Sequence, residues 1–284
     1  MMQKSHVHSS EGHISLVSPS LVGGRQHPDK MQGHWVLARA GKRVLRPGGI
    51  ELTGQMLDAL AISPRDSVVE FAPGLGITAG MVLKRRPVAY WGVEREPAAA
   101  ECLRDRLAGT KAEIVLGLAE QSGLPSACAT VVYGEAMLSM QSQEQKNRIV
   151  AEARRLLAPG GRYGIHELCY SPEDLPDHLR HEIQAALSKE IHVGVQPLSH
   201  SGWIRLFEQN GLKVTWSTEA PMHLLEPQRV LRDEGLRGSF RVAFNIATDP
   251  KLRQRIFAMR RLFAKYRKHL CAISLVGQQE PTNA

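Results

Sequence analysis

Apolar residues along this chain gather into short blocks that alternate with longer stretches of helical spacing. The blocks at 68–71, 88–94, 113–117, 129–133 and 162–168 each read as a buried strand, because a short apolar run bounded by turn residues suits a sheet core. Between them, 77–86, 97–107 and 143–157 carry the pattern of helices. Ahead of the first strand, 51–61 reads as a helix. Before that, Met31, Trp35, Val36, Leu37, Val44 and Leu45, mixed with Lys30, Arg39, Lys42, Arg43 and Arg46, predict a short amphipathic helix and a turn ending at Pro47-Gly48-Gly49. This first helix either covers a ligand pocket as a lid or simply packs on the sheet. Strand and helix alternate without a break from 68 to 168, which predicts an α/β chain with a doubly wound parallel sheet. Ligands of such sheets sit at the carboxyl ends of the strands.

The first of those ends is the most informative. Glu70-Phe71-Ala72-Pro73-Gly74-Leu75-Gly76-Ile77-Thr78 leaves a strand in a carboxylate, turns on two glycines and enters a helix. Lacking Cβ atoms, Gly74 and Gly76 allow sharp backbone geometry and close approach of a ligand, and the helix start offers unpaired N–H groups. A nucleotide-like cofactor suits this turn. Gly74-x-Gly76-x-x-Ala79 also satisfies the looser dinucleotide fingerprint, which keeps an NAD(P)-dependent oxidoreductase as a rival. The second strand again ends in a carboxylate, Glu94, placed to accept both hydroxyls of a ribose.

Charge and cysteine content refine the picture. The net charge of +8 suggests nucleic acid until it is located: Lys251, Arg253, Arg255, Arg260, Arg261, Lys265, Arg267 and Lys268 fall in one acid-free segment, and the rest of the chain is balanced. Within that segment Leu252, Ile256, Met259, Phe263, Tyr266 and Leu270 recur at four and three. The reading is a core-packing helix with a solvated basic face, or a weak contact of 251–268 with an anionic surface. No nucleic-acid module and no membrane-spanning run is visible, and the expected location is the cytoplasm. Cys102, Cys128, Cys169 and Cys271 form no close-spaced pair, so reduced thiols and no metal centre are expected. Residues 1–27, with His6, His8, His13 and His27, read as a mobile tail.

Four motifs in order then resemble the class I S-adenosylmethionine-dependent methyltransferases over roughly residues 51–277. They are Glu70-x-x-x-Gly74-x-Gly76, Glu94 closing the second strand, Gly117-x-Ala119-Glu120 before Leu124-Pro125, and Arg155-Leu156-Leu157-Ala158-Pro159-Gly160-Gly161 before the fifth strand. The resemblance implies a Rossmann-like, seven-stranded, mostly parallel sheet closed by an antiparallel hairpin of 212–217 and 270–276, with a helical insertion, 226–269, between those strands. It divides the chain into N-terminal helices at 28–61, a cofactor-binding half at 62–168 and a substrate half at 169–284. It further implies that Glu70 holds the cofactor's amino-acid end and that Ala72, Gly74 and Gly76 give backbone clearance. Glu94, with Arg95 beside it, would clamp the ribose; Ala119 and Glu120 would flank the adenine; Glu135 and Ala136 would line the floor near the sulfonium. Pro73, Leu118 and the Cys128-Ala129-Thr130 opening of strand four depart from the family pattern.

For the chemistry, His166 and Glu167 at the end of strand five are the ionisable candidates, His166 as the proton acceptor and Glu135 as its substitute. Tyr133 and Tyr163 read as core. Cys169 raises a thiol-dependent transfer, as to arsenic, but Cys102 in a helix and Cys128 and Cys271 in strands are not expected to converge on it. His178, His181, His192 and His200 read as solvated or lid-lining. The expected activity is methyl transfer from S-adenosylmethionine to a small molecule. RNA or protein methylation and a non-catalytic cofactor-binding module are the other readings.

Overall fold

The computed structural model describes residues 31–280, so the four early histidines lie outside the described residues. In chain order the elements are α1 (Gly33–Arg39), α2 (Gly49–Ala59), β1 (Ser67–Phe71), α3 (Ile77–Leu83), β2 (Ala89–Glu94), α4 (Pro97–Arg106), β3 (Ala112–Leu116) and β4 (Ala129–Glu135). They continue with α5 (Gln143–Leu156), β5 (Leu157–Tyr170), α6 (Asp177–Ile191), β6 (Leu198–Ser199), α7 (His200–Gln209), β7 (Leu212–Pro221), α8 (Pro227–Thr248), α9 (Pro250–Tyr266) and β8 (Leu270–Gln279). The sheet runs β3-β2-β1-β4-β5-β8-β7. Strands β1 to β5 are parallel neighbours, and β8 is antiparallel to both β5 and β7. This is the doubly wound sheet with a closing antiparallel pair that the patterning and the family resemblance predict. An eighth strand, the two-residue β6, adds itself to the end of β5.

Local chemistry explains several boundaries. Ser142 caps α5 through the backbone N–H of Gln145, whose side chain returns the bond, and Asp249 accepts from the N–H groups of Lys251 and Leu252 to start α9. One boundary differs from expectation: β5 begins at Leu157 rather than after the Pro159-Gly160-Gly161 turn. Leu157 pairs with Ala129, and the next register pair is Val131 with Arg162. The turn is therefore an irregularity inside the strand pairing, not its beginning.

The insertion folds as a helical pair. On α9, Leu252, Ile256, Met259 and Tyr266 are buried in a second core with Val36 and Leu37 of α1 and Ile183 and Leu187 of α6. Its apolar side is thus core, while Arg253, Arg260, Arg261, Arg267 and Lys268 are exposed. Among the described residues no helix is long and apolar enough to cross a membrane.

Helix α8 does something the sequence did not announce. Lys42 Nζ lies 2.9 Å from Asp233 Oδ2, with both side chains at most 1 % exposed. Glu234 accepts from the backbone N–H of Arg43 (2.7 Å) and Val44 (2.9 Å), and Asp233 Oδ1 accepts from Ile50 N–H at 3.1 Å. Two adjacent acids of the insertion thereby clamp the loop 42–50 against the sheet. Gly235 follows at φ +68°, interrupting the helix directly after that acid pair.

Candidate active site

A cavity of about 620 Å³ opens at the carboxyl ends of β1, β2 and β4, within the roughly 300–1,000 Å³ common for small-molecule sites. Nine residues singled out from the sequence line it: Glu70, Ala72, Gly74, Glu94, Arg95, Ala119, Glu120, Glu135 and Ala136. The tenth, Gly76, does not. A Cβ there would stand 3.0 Å from Leu103 Cδ2, so Gly76 serves the approach of α4 and the left-handed start of α3 rather than clearance for a ligand. Gly74 fits the expected part: it turns at φ +55°, and a Cβ built on it would meet nothing closer than 3.9 Å. Ala72 (φ +51°) and Ala136 (φ +50°) adopt the left-handed region despite their Cβ atoms. Both stand at strand ends on the cavity wall, where such backbone strain is held by neighbouring bonds, Ala72 N–H to the Val93 carbonyl (2.9 Å) and Ala136 N–H to the His166 carbonyl (2.8 Å).

Register brings the two key carboxylates to one rim. Glu70 pairs with Gly92 on β2, and Glu94 lies two residues beyond. Glu94 is 7 % exposed and accepts from the N–H of Glu96 at 3.0 Å; burial raises its pKa against that bond. Glu70 is clasped by the hydroxyls of Tyr90 and Tyr133, which both donate to its Oε2. Tyr133 is buried as expected, but its phenol also serves the site. Burial pushes the Glu70 carboxyl up to about 7, the two tyrosine bonds opposing and the nearby Glu135 charge adding to the rise. The folded pKa thus lies above the ordinary 4.5, so folding favours the protonated form. Its stabilisation is complete below about pH 4.5 and is lost as pH rises toward 7. Glu70→Gln is expected to flatten this fall in stability, on the order of 2–3 kcal/mol, when denaturant midpoints are compared at about pH 5 and about pH 8. Parallel pH profiles of variant and parent would contradict it.

Glu135 sits in the opposite regime. Burial alone would raise its pKa, but the Arg46 guanidinium at 3.0 Å, the His166 ring at 3.1 Å and the Thr53 hydroxyl at 2.5 Å outweigh it and hold the carboxyl at about 2. Thr78 of α3 also donates to it, at 2.5 Å. Glu135 is therefore an ion-paired anchor and, near neutral pH, too weak a base to take a proton from a hydroxyl or amine.

The placement of His166 corrects the general-base expectation. Its ring is fully buried and behind Glu135: Nε2 faces the Pro47 carbonyl at 2.5 Å, and Nδ1 faces Glu135 and Thr53. With both nitrogens engaged and no face on the cavity, it positions Glu135 and the Pro47-Gly48-Gly49 turn. The turn needs glycine because Gly48 sits at φ +74°, and a Cβ there would stand 2.6 Å from Leu52 Cδ2, 3.0 Å from Ala272 Cβ and 3.1 Å from that ring nitrogen. Glu167 likewise faces away. It accepts from the backbone N–H groups of Met137 (2.9 Å), Leu138 (2.7 Å) and Ser139 (3.0 Å) and so fixes the loop after β4.

The remaining wall comes from residues that no motif marks. His34 and Trp35 of α1, Arg43, Leu45 and Arg46 of the clamped loop, and His192 at the end of α6 line the cavity. Helix α1 is thus both a wall of the pocket and, through Val36 and Leu37, part of the core. Burial, with the Arg95 charge second, holds His34 down at about 4, so its imidazole is neutral at physiological pH. Arg46 carries the telling detail: its side chain is 10 % exposed, and its Nη2 is buried with no hydrogen-bond partner among the described residues. The only sequence signal for Arg46 was a basic residue set directly before a Pro-Gly-Gly turn. One further expectation fails: Cys271 does converge with Cys169, the two being register partners across β8 and β5. Cys102 and Cys128 lie apart, on α4 and before β4.

Comparison with known proteins agrees with this architecture. A family model described as a methyltransferase domain matches residues 68–161. An uncharacterized protein of Haemophilus influenzae is 30 % identical over 217 residues, covering 75 % of this chain and 84 % of that one. Among solved structures, a geranyl diphosphate methyltransferase in complex with SAM aligns with a TM-score of 0.57 at 17 % identity, over 80 % of this chain and 84 % of its own. The [4+2]-cyclase SpnF aligns at 0.62 and 14 % identity, over 81 % and 80 %. At these identities the two structures speak to the fold alone. The matched family model, together with a sheet order that is that of the Rossmann-like methyltransferase fold, places this chain in the methyltransferase family.

Proposed function

We propose that this chain binds S-adenosylmethionine in the cavity at the ends of β1, β2 and β4 and methylates a small molecule that presents a nucleophilic oxygen, nitrogen or carbon. The observation that carries the reading is the buried Nη2 of Arg46, without a hydrogen-bond partner among the described residues, in the cavity that the carboxylates Glu70 and Glu94 also line. A buried guanidinium nitrogen without an acceptor is costly unless a ligand anion completes it, and the cofactor's own carboxylate is such an anion. Glu94 would accept the ribose hydroxyls, and Ala119 and Glu120 would flank the adenine. The left-handed turn at Gly74 leaves backbone open to the ligand. Glu70, held by its two tyrosines, would face the amino-acid end. The residues fit the group.

Bound S-adenosylmethionine supplies a methyl group already activated by the sulfonium charge. The protein's share is then alignment and exclusion of water. Glu135, locked by Arg46, Thr53, Thr78 and His166, gives the floor a fixed negative charge. His34 and Trp35 of α1 and His192 of α6 stand on the acceptor side, and His34, uncharged, can accept a hydrogen bond from an incoming hydroxyl or amine. Support for a small acceptor comes from this walled pocket.

Calorimetric titration of the purified chain with S-adenosylmethionine is expected to give saturable one-to-one binding, and titration with NADH none. Incubation with a metabolite extract should then release the demethylated cofactor steadily, and nuclease or protease treatment of the extract should leave methyl acceptance intact. Absence of saturable binding overturns the cofactor assignment. Acceptance abolished by either treatment overturns the small-molecule reading.

A further inference from the structure

Three adjacent strands bring three soft or anionic donors to one place on the sheet, away from the cavity. Cys169 on β5 and Cys271 on β8 are paired directly by the antiparallel register. Glu219 on β7 is paired with Ile273, two residues from Cys271 and therefore on the same face of the pleat. The two Sγ atoms and a Glu219 carboxylate oxygen all lie within 4.8 Å of one another, and Cys271 Sγ is 3.7 Å from Glu219 Oε2. None of the three lines the cofactor cavity.

The carboxylate is held in place from its far side. His200, the first residue of α7, has Nδ1 2.8 Å from Glu219 Oε1 and Nε2 3.2 Å from Ser217 Oγ. That arrangement turns Oε2 toward the thiols, as outer-shell partners orient metal ligands. Burial differs across the trio. Cys169 is fully buried and Cys271 8 % exposed, whereas the Glu219 side chain is 38 % exposed. One side is thus sealed by sheet and core, and the other is open to solvent.

We propose that Cys169, Cys271 and Glu219 form a binding site for a thiophilic divalent cation of the zinc class, with two thiolates, one carboxylate oxygen and a solvent molecule making a four-coordinate set. The donor set favours such an ion over magnesium or calcium, which take oxygen ligands. Drawing the three ligand atoms to bond distances of about 2.0–2.3 Å from a common centre asks for a contraction of roughly 1 Å, within reach of side-chain rotation. Binding replaces the two thiol protons, which leave to solvent, and no electron is transferred. In the metal-free protein a hydrogen bond with Cys271 and then burial push the Cys169 thiol well above its ordinary range. The bound ion would tie β5, β8 and β7 together at the edge of the sheet, a structural role independent of whether the chain methylates anything.

Cobalt(II) is the probe, because thiolate ligation to it gives an intense near-ultraviolet charge-transfer band. The full-length protein, fully reduced and metal-stripped, is expected to develop that band with saturation at one equivalent. Zinc(II) should abolish the band by displacement and should raise the thermal midpoint of the protein. Cys271→Ser should lose the band. Glu219→Gln, at a partly exposed position where folding is not at risk, should keep a thiolate band with affinity at least tenfold weaker, and His200→Gln should weaken it about tenfold. A titration that leaves the near ultraviolet unchanged overturns the site, as does a band that survives in folded Cys271→Ser or an affinity unaltered by Glu219→Gln.

Discussion

Replacing Glu94 by alanine is expected to weaken S-adenosylmethionine binding by about 100-fold. The residue closes β2 at the cavity rim, is nearly buried, and accepts from the backbone of Glu96 on its Oε1 and from that of Arg95. A buried carboxylate with acceptor capacity to spare is stabilised by any ligand that brings two hydroxyls to it. Each hydrogen bond to a charged group contributes about 1.5–3 kcal/mol, so the loss of two gives at least about 3 kcal/mol, or two orders of magnitude in Kd. Glu94→Gln should fall between, because it keeps one acceptor oxygen. Arg46→Met probes the opposite end of the ligand and should cost about tenfold or more, adding to the Glu94 effect because the two sites share no partner. Calorimetry at constant pH measures all three. An unchanged Kd in Glu94→Ala would remove the ribose assignment and with it the placement of the cofactor.

The second large effect lies outside the cavity. Lys42→Met removes one half of a buried ion pair and leaves Asp233 charged and almost wholly out of solvent, with Arg229 at 4.0 Å and Ile50 N–H as its remaining partners among the described residues. Breaking such a pair costs about 3–5 kcal/mol, which for a chain of this size lowers Tm by about 10 °C. Lys42→Met combined with Asp233→Leu should recover part of that loss, since no isolated charge remains, but not all, because Ile50 N–H then lacks its acceptor. The single variant should also bind the cofactor more weakly than its stability alone predicts, because the loop it loosens carries Arg46. Differential scanning calorimetry with and without ligand separates these effects. A Tm for Lys42→Met within a degree or two of the parent would show that α8 does not clamp the loop.

What the sequence determined by itself was whatever depends on neighbours along the chain. Apolar blocks such as Val68-Val69 and Val131-Val132 must be buried on both faces, and Gly74 must take a conformation that side chains resist. Glu94 follows from the length of one strand–helix unit. These requirements are local, so the doubly wound architecture was legible along the chain, and the motifs of the family resemblance picked out ten positions, nine of which line the cavity. Strand alternation sets His166 and Glu167 on opposite faces of β5. It did not tell which face is covered, and α2 with the Pro47-Gly48-Gly49 turn covers the one His166 occupies.

Only the tertiary structure decided the pairings between distant segments. Asp233 and Glu234 meet the loop at 42–50 because the insertion packs back over the N-terminal helices, a contact across about 190 residues with no local signature. Tyr90 and Tyr133 reach Glu70 because parallel register sets β2 and β4 on either side of β1. Cys169 and Cys271, held apart as strand residues in the one-dimensional reading, are brought opposite each other by an antiparallel register fixed through the whole length of β8. Register is the collective outcome of burying one face and satisfying every backbone bond of a ladder, and no single residue along the chain carries it.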